Sequence, residues 1–497
     1  MTRVNNSRIS SLPLIKLDVR FNNCGINVGG TAEVFSSLNL VLGDFVVFAG
    51  GDFDFSRSGI KNALQIETKQ IRGINALDIF RELQERGLVY QHTDEEALRK
   101  RLATGPMTLY CGFDPTADSL HIGSLLPILV LKRFQLAGHI PIALVGGGTG
   151  LIGDPSGKAS ERILNPKEVV EEWADKIKNQ LGHFLDFETK ESPAIVANNY
   201  DWLGSLQVIE FLRDIGKNFP LGSMLAKDSV DARMSKGISY TEFSYMILQS
   251  YDYLKLNEVY GCEMQVGGSD QWGNITAGID LIRRTSVNQV KEIHGLTMPL
   301  VTKSDGVKFG KTESGTVWLD AEKTSPYKFY QFWMNTDDQD VIKFLKFFTF
   351  LSIDEITLLA ESVEKEPEKR KAQRSLAVEV TKLVHGQDAL DRAKKISSAL
   401  FEGGLKYLSA AEVEEGFSEV SSATIDNPEV SLVDLLIRAG AVTSKRQARE
   451  AIESGAIYIN DIRYTDVETS VPQLERLDGK YLVIRRGKKN YYLIKFK

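Results

Sequence analysis

The sequence predicts an α/β fold, an open parallel sheet with helices on its faces, followed by a helical region and a small α+β tail. Three observations predict it. Up to about residue 300 short apolar runs alternate with helical patterns; beyond Ser325 helical patterns follow one another without strands; from Ser431 two helical segments precede three β runs. A chain of 497 residues exceeds what one hydrophobic core organises, so roughly two to four domains are expected.

The elements follow in order. ALDIFRELQERGLV carries apolar residues at helical spacing and a glycine near its end, which reads as an amphipathic helix. MTLYCGFD reads as a short buried strand, PTADSLHIG as a loop, LLPILVLKRFQLAG as a helix ending at Gly138, and PIALVGG as the next strand. Strand, loop, helix and strand within about forty residues form a βαβ unit, and right-handed crossover makes its strands parallel. VIEFLRDIGK, ISYTEFSYMILQSYDYLKL and CEMQVGGSDQWGNITAGIDLIRR continue the alternation. SPYKFYQFWMN, DVIKFLKFFTFL and KRKAQRSLAVEVTKLVHG supply the helical region, and the polar SEVSSATIDNPEV reads as a linker. The tail opens with VSLVDLLIRAG and SKRQAREAIESG and finishes in AIYIN, YLVIRRG and NYYLIKF.

The expected boundaries are an N-terminal extension over 1–75, an α/β domain over 76–300, a lysine-rich loop and connection over 301–325, an α domain over 326–415, a linker over 416–430 and the tail over 431–497. The extension mixes short apolar runs with Gly, Ser and Asp without a sustained period, and is expected to be disordered. Arg3, Arg8, Lys16 and Arg20, with Asp18 the one acid nearby, also fit an organellar presequence.

Composition narrows the function. A net charge of −6 excludes a globally basic nucleic-acid binder but leaves room for a local basic patch. Three separated cysteines, with no CxxC pair, argue against a disulfide framework or a structural zinc and for a reducing compartment, so the cytoplasm is expected, with an organelle as the alternative. No metal ligand set is read. No apolar run approaches the ~20 residues of a membrane span.

Two loops carry chemistry. Loops at the C-terminal ends of parallel strands are where open α/β sheets bind ligands, and helix N-termini suit phosphate. His121, one of six histidines, stands at such a helix start, although alone it reads more readily as a residue that caps or packs. In TKSDGVKFGKTESG, Lys308, Lys311 and Thr312 lie among Gly306, Gly310 and Gly315. Two ammonium groups and a hydroxyl on a glycine-hinged loop suit a triphosphate, while KFGKT alone also fits a solvated turn. No P-loop is present and no dinucleotide fingerprint is read, which weakens a nicotinamide-dependent dehydrogenase.

Together, HIG at the first βα turn and KFGKT beyond the sheet resemble the paired signatures of class I aminoacyl-tRNA synthetases. LYCGFDPTADSLHIG, ALVGGGTGLIGDPSG, YTEFSYMILQSYD, QVGGSDQWGNI and VKFGKTESG, in that order, resemble the bacterial-type tyrosyl-tRNA synthetases across residues 76–497. The resemblance implies a Rossmann-like catalytic domain that makes tyrosyl-adenylate from L-tyrosine and ATP, then transfers the tyrosyl group to tRNA(Tyr). It implies that Thr116, His121, Lys158, Arg162, Lys308, Lys311 and Thr312 handle the phosphates. Gly112, Asp114, Gly123, Ser124, Gly268, Asp270 and Gln271 would meet ATP and the adenylate, with Mg²⁺ held mainly by phosphate and water. Tyr110 and Asp252 would contact the substrate hydroxyl; Asp154, Tyr245 and Gln249 would bind its ammonium, and Gln265 would line the pocket. Ser124 stands where the family signature has a second histidine.

The tail adds a local charge excess, twelve Lys and Arg against seven Asp and Glu from Ala441 to Lys497. It resembles an S4-type RNA-binding domain, which implies phosphate contacts from Lys445, Arg446, Arg449, Arg485, Arg486, Lys488 and Lys489. The α domain would approach the anticodon, and the family implies a homodimer. Two alternatives stay open: a synthetase-derived RNA-binding or splicing protein without full activity, and a class I enzyme for tryptophan, against which the Tyr110/Asp252 pair speaks.

Overall fold

The computed structural model describes residues 78–156, 164–227, 230, 234, 237–286, 292–304, 309–312, 315–418, 420–426, 429–487 and 490–496, together with the backbone of three strands nearer the N-terminus. The chain divides into two compact units, Met1–Leu77 and Asp78–Lys497. In the first, β1 (Leu17–Arg20), β2 (Leu38–Leu42) and β3 (Phe45–Ala49) form an antiparallel sheet in that order. The expectation of disorder over 1–75 therefore fails for these three strands. Gly43-Asp44 between two apolar runs is the hairpin signal that the reading passed over. The remainder of that stretch lies outside the described residues.

The second unit is built on a six-stranded sheet. Its order is β4 (Gln91–His92), β9 (His294–Met298), β8 (Met264–Gly268), β5 (Thr108–Phe113), β6 (Ile140–Val145), β7 (Ile195–Asn198). Every pairing is parallel except the edge pair β4–β9. From β5 the chain builds outward through β6 and β7, then returns to the other side of β5 with β8. That reversal opens a crevice at the carboxyl ends of β5 and β8.

Period-two alternation sends Leu109, Cys111 and Phe113 of β5 into one core and Tyr110 into the other. The first core receives α3 (Ile122–Leu136), ten of whose residues are buried. It also receives α1 (Ile79–Glu85) and α4 (Lys167–Leu181). The second receives α5 (Tyr240–Tyr260) and α6 (Trp272–Thr285). VIEFLRDIGK, read as one regular element, is instead a run of short turns from Val208 to Asn218 that includes a π turn over Phe211–Ile215.

Four helices follow, α7 (Pro326–Met334), α8 (Asp338–Phe348), α9 (Ile353–Lys365) and α10 (Lys371–Glu402). Gly386, at φ 82° and ψ 174°, is not helical and divides α10 into two helical segments that meet at a kink. A polar knot binds these helices to α1 and α3. Buried Arg133, from α3, reaches Glu82 at 2.6 Å and the Thr349 carbonyl, and Arg86 donates to the Leu351 carbonyl at 2.8 Å. The pairing of both guanidiniums with carbonyls and one carboxylate offsets the cost of burying them.

The tail folds as α11 (Leu432–Arg438) and α12 (Lys445–Glu453) against a five-stranded sheet. That sheet corrects the linker expected over 416–430. Ser421–Ile425 is a strand, β12, paired in parallel with the last strand, Asn490–Phe496. Its serines and threonine hid it, because an edge strand with one wet face need not be apolar.

Candidate active site

A cavity of about 340 Å³ lies at the crevice beside β5 and β8, lined by the first βα loop, the end of β8, α5 and the 298–301 segment. Part of its lining is a group of buried polar side chains. Tyr110 is fully buried, its ring packs edge-on to Tyr253 at 5.2 Å, and its hydroxyl has no partner among the described residues. Gln265, its β8 neighbour in register, has an unpartnered side-chain oxygen. Buried polar atoms are ordinarily paired, so these two mark where a polar ligand atom belongs.

Asp252 of α5 accepts from Trp202 Nε1 at 2.7 Å and from Asn199 Nδ2 at 2.9 Å. Burial raises its carboxyl from the usual carboxylate range to about 8, and the two donated bonds do not cancel that. Burial and the nearby Asp252 charge push the Tyr110 hydroxyl upward, so it stays a neutral donor.

Hydrogen bonds connect this pocket to the mouth. Asn199 also donates to Thr149, Thr149 donates to Asp114 at 2.7 Å, and Tyr245 donates to the other Asp114 oxygen at 2.7 Å. A second chain runs from Asn274 through Gln249 and Gln271 to Asp154, the last step at 2.8 Å. The sequence-derived residues Tyr110, Asp114, Asp154, Tyr245, Gln249, Asp252, Gln265 and Gln271 are thus brought together. Thr149, Asn199, Trp202 and Asn274 were missed. Asn199 directly follows β7, so the rule that ligands gather at the carboxyl ends of parallel strands could have found it.

Glycines shape the walls. A side chain at Gly146 would collide with Asp114 and Thr149, and one at Gly112 would meet nothing but the open crevice. Gly268 is constrained by Asp270 and Leu300 rather than by open ligand space. Gly148, Gly150 and Gly153 do stand at dinucleotide-fingerprint spacing, a match that the sequence reading missed. However, they lead into a single 3-10 turn, Thr149–Leu151, instead of a helix, and Gly148 N–H is spent on Asn199.

At the mouth, His121 caps α3. Its Nδ1 accepts the Gly123 N–H at 3.0 Å, which leaves the proton on Nε2 and makes that atom a donor. Thr116, His121 and Gly123 are exposed there, with Ser124 half-buried behind them. The lysine loop meets this point through its backbone. Gly310, at φ 81°, packs so tightly on Ile122 that a Cβ would lie 2.5 Å from its Cγ2. Lys311–Thr312 and Gly315–Thr316 form a hairpin immediately beyond. Lys158, Arg162 and Lys308 lie outside the described residues, as do the side chains of Lys311 and Thr312. Among the described residues no group of three or more His, Cys, Asp or Glu is placed to hold a metal ion.

The tail presents a cationic face at α12, where Lys445, Arg446 and Arg449 are exposed. Lys445 pairs with Asp434 at 3.0 Å and Arg446 with Glu450 at 3.0 Å. Arg485 stacks on Tyr458, whereas Arg486 donates to the Ala441 carbonyl and serves the fold. Lys488 and Lys489 lie outside the described residues.

Comparison with known proteins identifies the family. Residues 102–402 match the family model of class I tRNA synthetases (W and Y), and residues 412–494 match a tyrosine–tRNA ligase SYY-like C-terminal domain. The tyrosine–tRNA ligase of Desulfitobacterium hafniense is 71% identical over 419 residues, covering 84% of this chain and all of the relative. That of Geobacillus kaustophilus is 62% identical over 420 residues, with the same coverage. The crystal structure of a C-terminally truncated mitochondrial tyrosyl-tRNA synthetase from Aspergillus nidulans superposes with a TM-score of 0.59 at 31% identity, over 70% of this chain and 100% of that one. Nothing in these matches supports the alternative of a synthetase-derived RNA-binding protein. With its crevice at the β5/β8 reversal, its two signature loops in contact and both its main domains matched, the chain belongs to the tyrosine–tRNA ligases of the class I tRNA synthetases.

Proposed function

We propose that the cavity activates L-tyrosine with ATP and then loads tRNA(Tyr), with the roles assigned as follows. The observation that carries this reading is the Tyr110 hydroxyl, unpartnered among the described residues, in a cavity that Asp252 and the phosphate-suited start of α3 also line. The substrate phenol would accept from Tyr110 and donate to Asp252, while Asp154, Tyr245 and Gln249 supply acceptors for its ammonium. Its carboxylate then attacks the α-phosphorus of ATP, the bond to the bridging oxygen breaks, and pyrophosphate leaves. Side-chain nucleophiles are not required, so catalysis rests on positioning and on donors that meet the developing phosphate charge. Thr116 and the His121 Nε2–H serve that charge from one side. Lys308, Lys311 and Thr312 serve it from the other, with Lys158 and Arg162 adding cations. Gly112, Asp114, Gly123, Ser124, Gly268, Asp270 and Gln271 line the adenosine and adenylate. In the second step a ribose hydroxyl of the tRNA 3′ end attacks the acyl carbon and AMP departs.

Mg²⁺ accompanies ATP in this reading. Asp114 and Asp154 already accept two hydrogen bonds each, which favours an ion held by phosphate and water. The α12 face meets RNA phosphates. Val208, Ile209, Leu212, Leu221 and Leu225 expose apolar side chains within one short stretch, which supports pairing of two copies there. Buried free Cys111 and Cys262 support a reducing compartment such as the cytoplasm, and among the described residues no helix is long and apolar enough to cross a membrane.

Tyrosine-dependent exchange of pyrophosphate into ATP tests the reading. Exchange with tyrosine and none with tryptophan is expected; exchange without tyrosine dependence would reject it. Ser124→His should alter that rate by no more than about tenfold, the worth of one neutral hydrogen bond. A change of about a thousandfold would show the adenosine side of the site to be misassigned.

A further inference from the structure

His121 and the lysine loop are joined by main chain. The Ile122 amide donates to the Val317 carbonyl at 2.9 Å and the Leu319 amide to the Leu120 carbonyl at 2.9 Å, a bridge centred on His121 and Trp318. The Val317 amide in turn donates to the Gly310 carbonyl at 3.0 Å and closes the base of the hairpin that carries Lys311. Backbone pairing sets the distance between the two segments. It leaves their side chains free to turn.

A side-chain cluster removes that freedom. Lys323 Nζ lies 2.7 Å from a carboxylate oxygen of Asp118, in the loop that leads to His121. The same ammonium stands 5.4 Å from the centroid of the Trp318 ring, and that ring is 6.3 Å from the His121 imidazole. Trp318 is held from behind, since its amide donates to Thr324 Oγ1 at 3.0 Å. One lysine therefore touches both the loop before His121 and the residue paired with it. The ion pair is about a third exposed on each side, and pairs as open as this add little to folding. Its placement at the meeting of two phosphate-handling segments calls for another explanation.

We propose that Lys323 is a positioning residue: through Asp118 and Trp318 it holds the Val317–Leu319 backbone, and with it Gly310, in register with His121. The proposal rests on the site assignment above. Displacements of about 1 Å in reacting groups can cost a hundredfold, so a cluster worth little to stability can matter to rate.

Pyrophosphate exchange with the full chain tests it. Lys323→Met is expected to lower kcat about five- to twentyfold with the tyrosine KM within about twofold, and Lys323→Arg to restore most of the loss. Asp118 also faces Lys176, at 3.9 Å, but its close partner at 2.7 Å is Lys323. Asp118→Asn should therefore reproduce the loss, and the double variant should be no worse than the poorer single, because the shared contact is already gone in each. Melting temperatures close to the parent's are expected, and Asp118→Asn carries the test if Lys323→Met fails to fold. A Lys323→Met rate within about twofold of the parent, a matching rise in KM, or losses that multiply in the double variant would each overturn the proposal. His121→Ala, run alongside, separates the two levels. If it is slow and Lys323→Met is not, only the positioning role falls; if it is unchanged, the site assignment itself falls.

Discussion

Replacing His121 by alanine is expected to slow tyrosine activation about a hundred- to a thousandfold while tyrosine binding stays within about twofold. The imidazole sits at the start of α3, on a different element from Asp252 and the other residues assigned to the amino acid, so ground-state binding of tyrosine is not expected to depend on it. Its Nδ1 is engaged by the Gly123 amide, which fixes the tautomer and leaves the ring's proton on Nε2. A fixed donor that meets charge only as phosphate bonds rearrange lowers the barrier without tightening the substrate. Gly123 belongs to the same device, because a Cβ there would lie 2.8 Å from His121 Cε1 and turn the ring away. Single-turnover adenylate formation together with equilibrium tyrosine binding measures both halves. A loss of binding equal to the loss of rate would mean that the ring holds tyrosine and not phosphate.

Asp252→Asn should remove most of the preference for tyrosine over phenylalanine. A site built to hydrogen-bond a hydroxyl rejects the analogue without it by ~10⁴–10⁵, a magnitude for which tyrosyl-tRNA synthetase is itself the standard example. Asn199 and Trp202 both point donors at Asp252, so an asparagine amide there satisfies one and faces its own N–H toward the other. Tyrosine kcat/KM is expected to fall about a hundred- to a thousandfold and that for phenylalanine to change little. The pH dependence follows from the same carboxyl. Because it is raised to about 8 in the empty pocket and its ionised form accepts the phenol, tyrosine affinity should rise from pH 7 to 9. Stability of the ligand-free protein should move the other way. A folded-state value above the unfolded one favours the protonated fold, a contribution present below about pH 4 and lost as pH climbs through about 8. Both trends should vanish in Asp252→Asn. A flat tyrosine affinity between pH 7 and 9 in the parent would show that Asp252 does not receive the phenol.

What the sequence revealed followed from where chemistry is local. HIG and KFGKT each put their functional groups within a few residues, so loop position and glycine content made them candidates, and their occurrence together gave them weight. Tyr110 and Asp252 were readable only through ordered family segments, since nothing local distinguishes a pocket tyrosine from a core one. Asn199, Trp202, Thr149 and Asn274 escaped because each acts through a partner about 20 to 50 residues away. The strand Ser421–Ile425 escaped for a related reason: its pairing partner lies at the far end of the tail, and its own composition is that of a loop. By contrast α3 was plain, because a helix that is apolar on nearly every side must lie inside.

That late-pairing strand decides where the tail can be cut away. A fragment begun at Ser431 would keep both its helices yet lay bare one whole margin of Asn490–Phe496, a row of unmet amides and carbonyls open to self-association. Begun a few residues ahead of Ser421, the same fragment would carry its own cover, and Ile425 would regain the apolar surroundings in which it is 2% exposed.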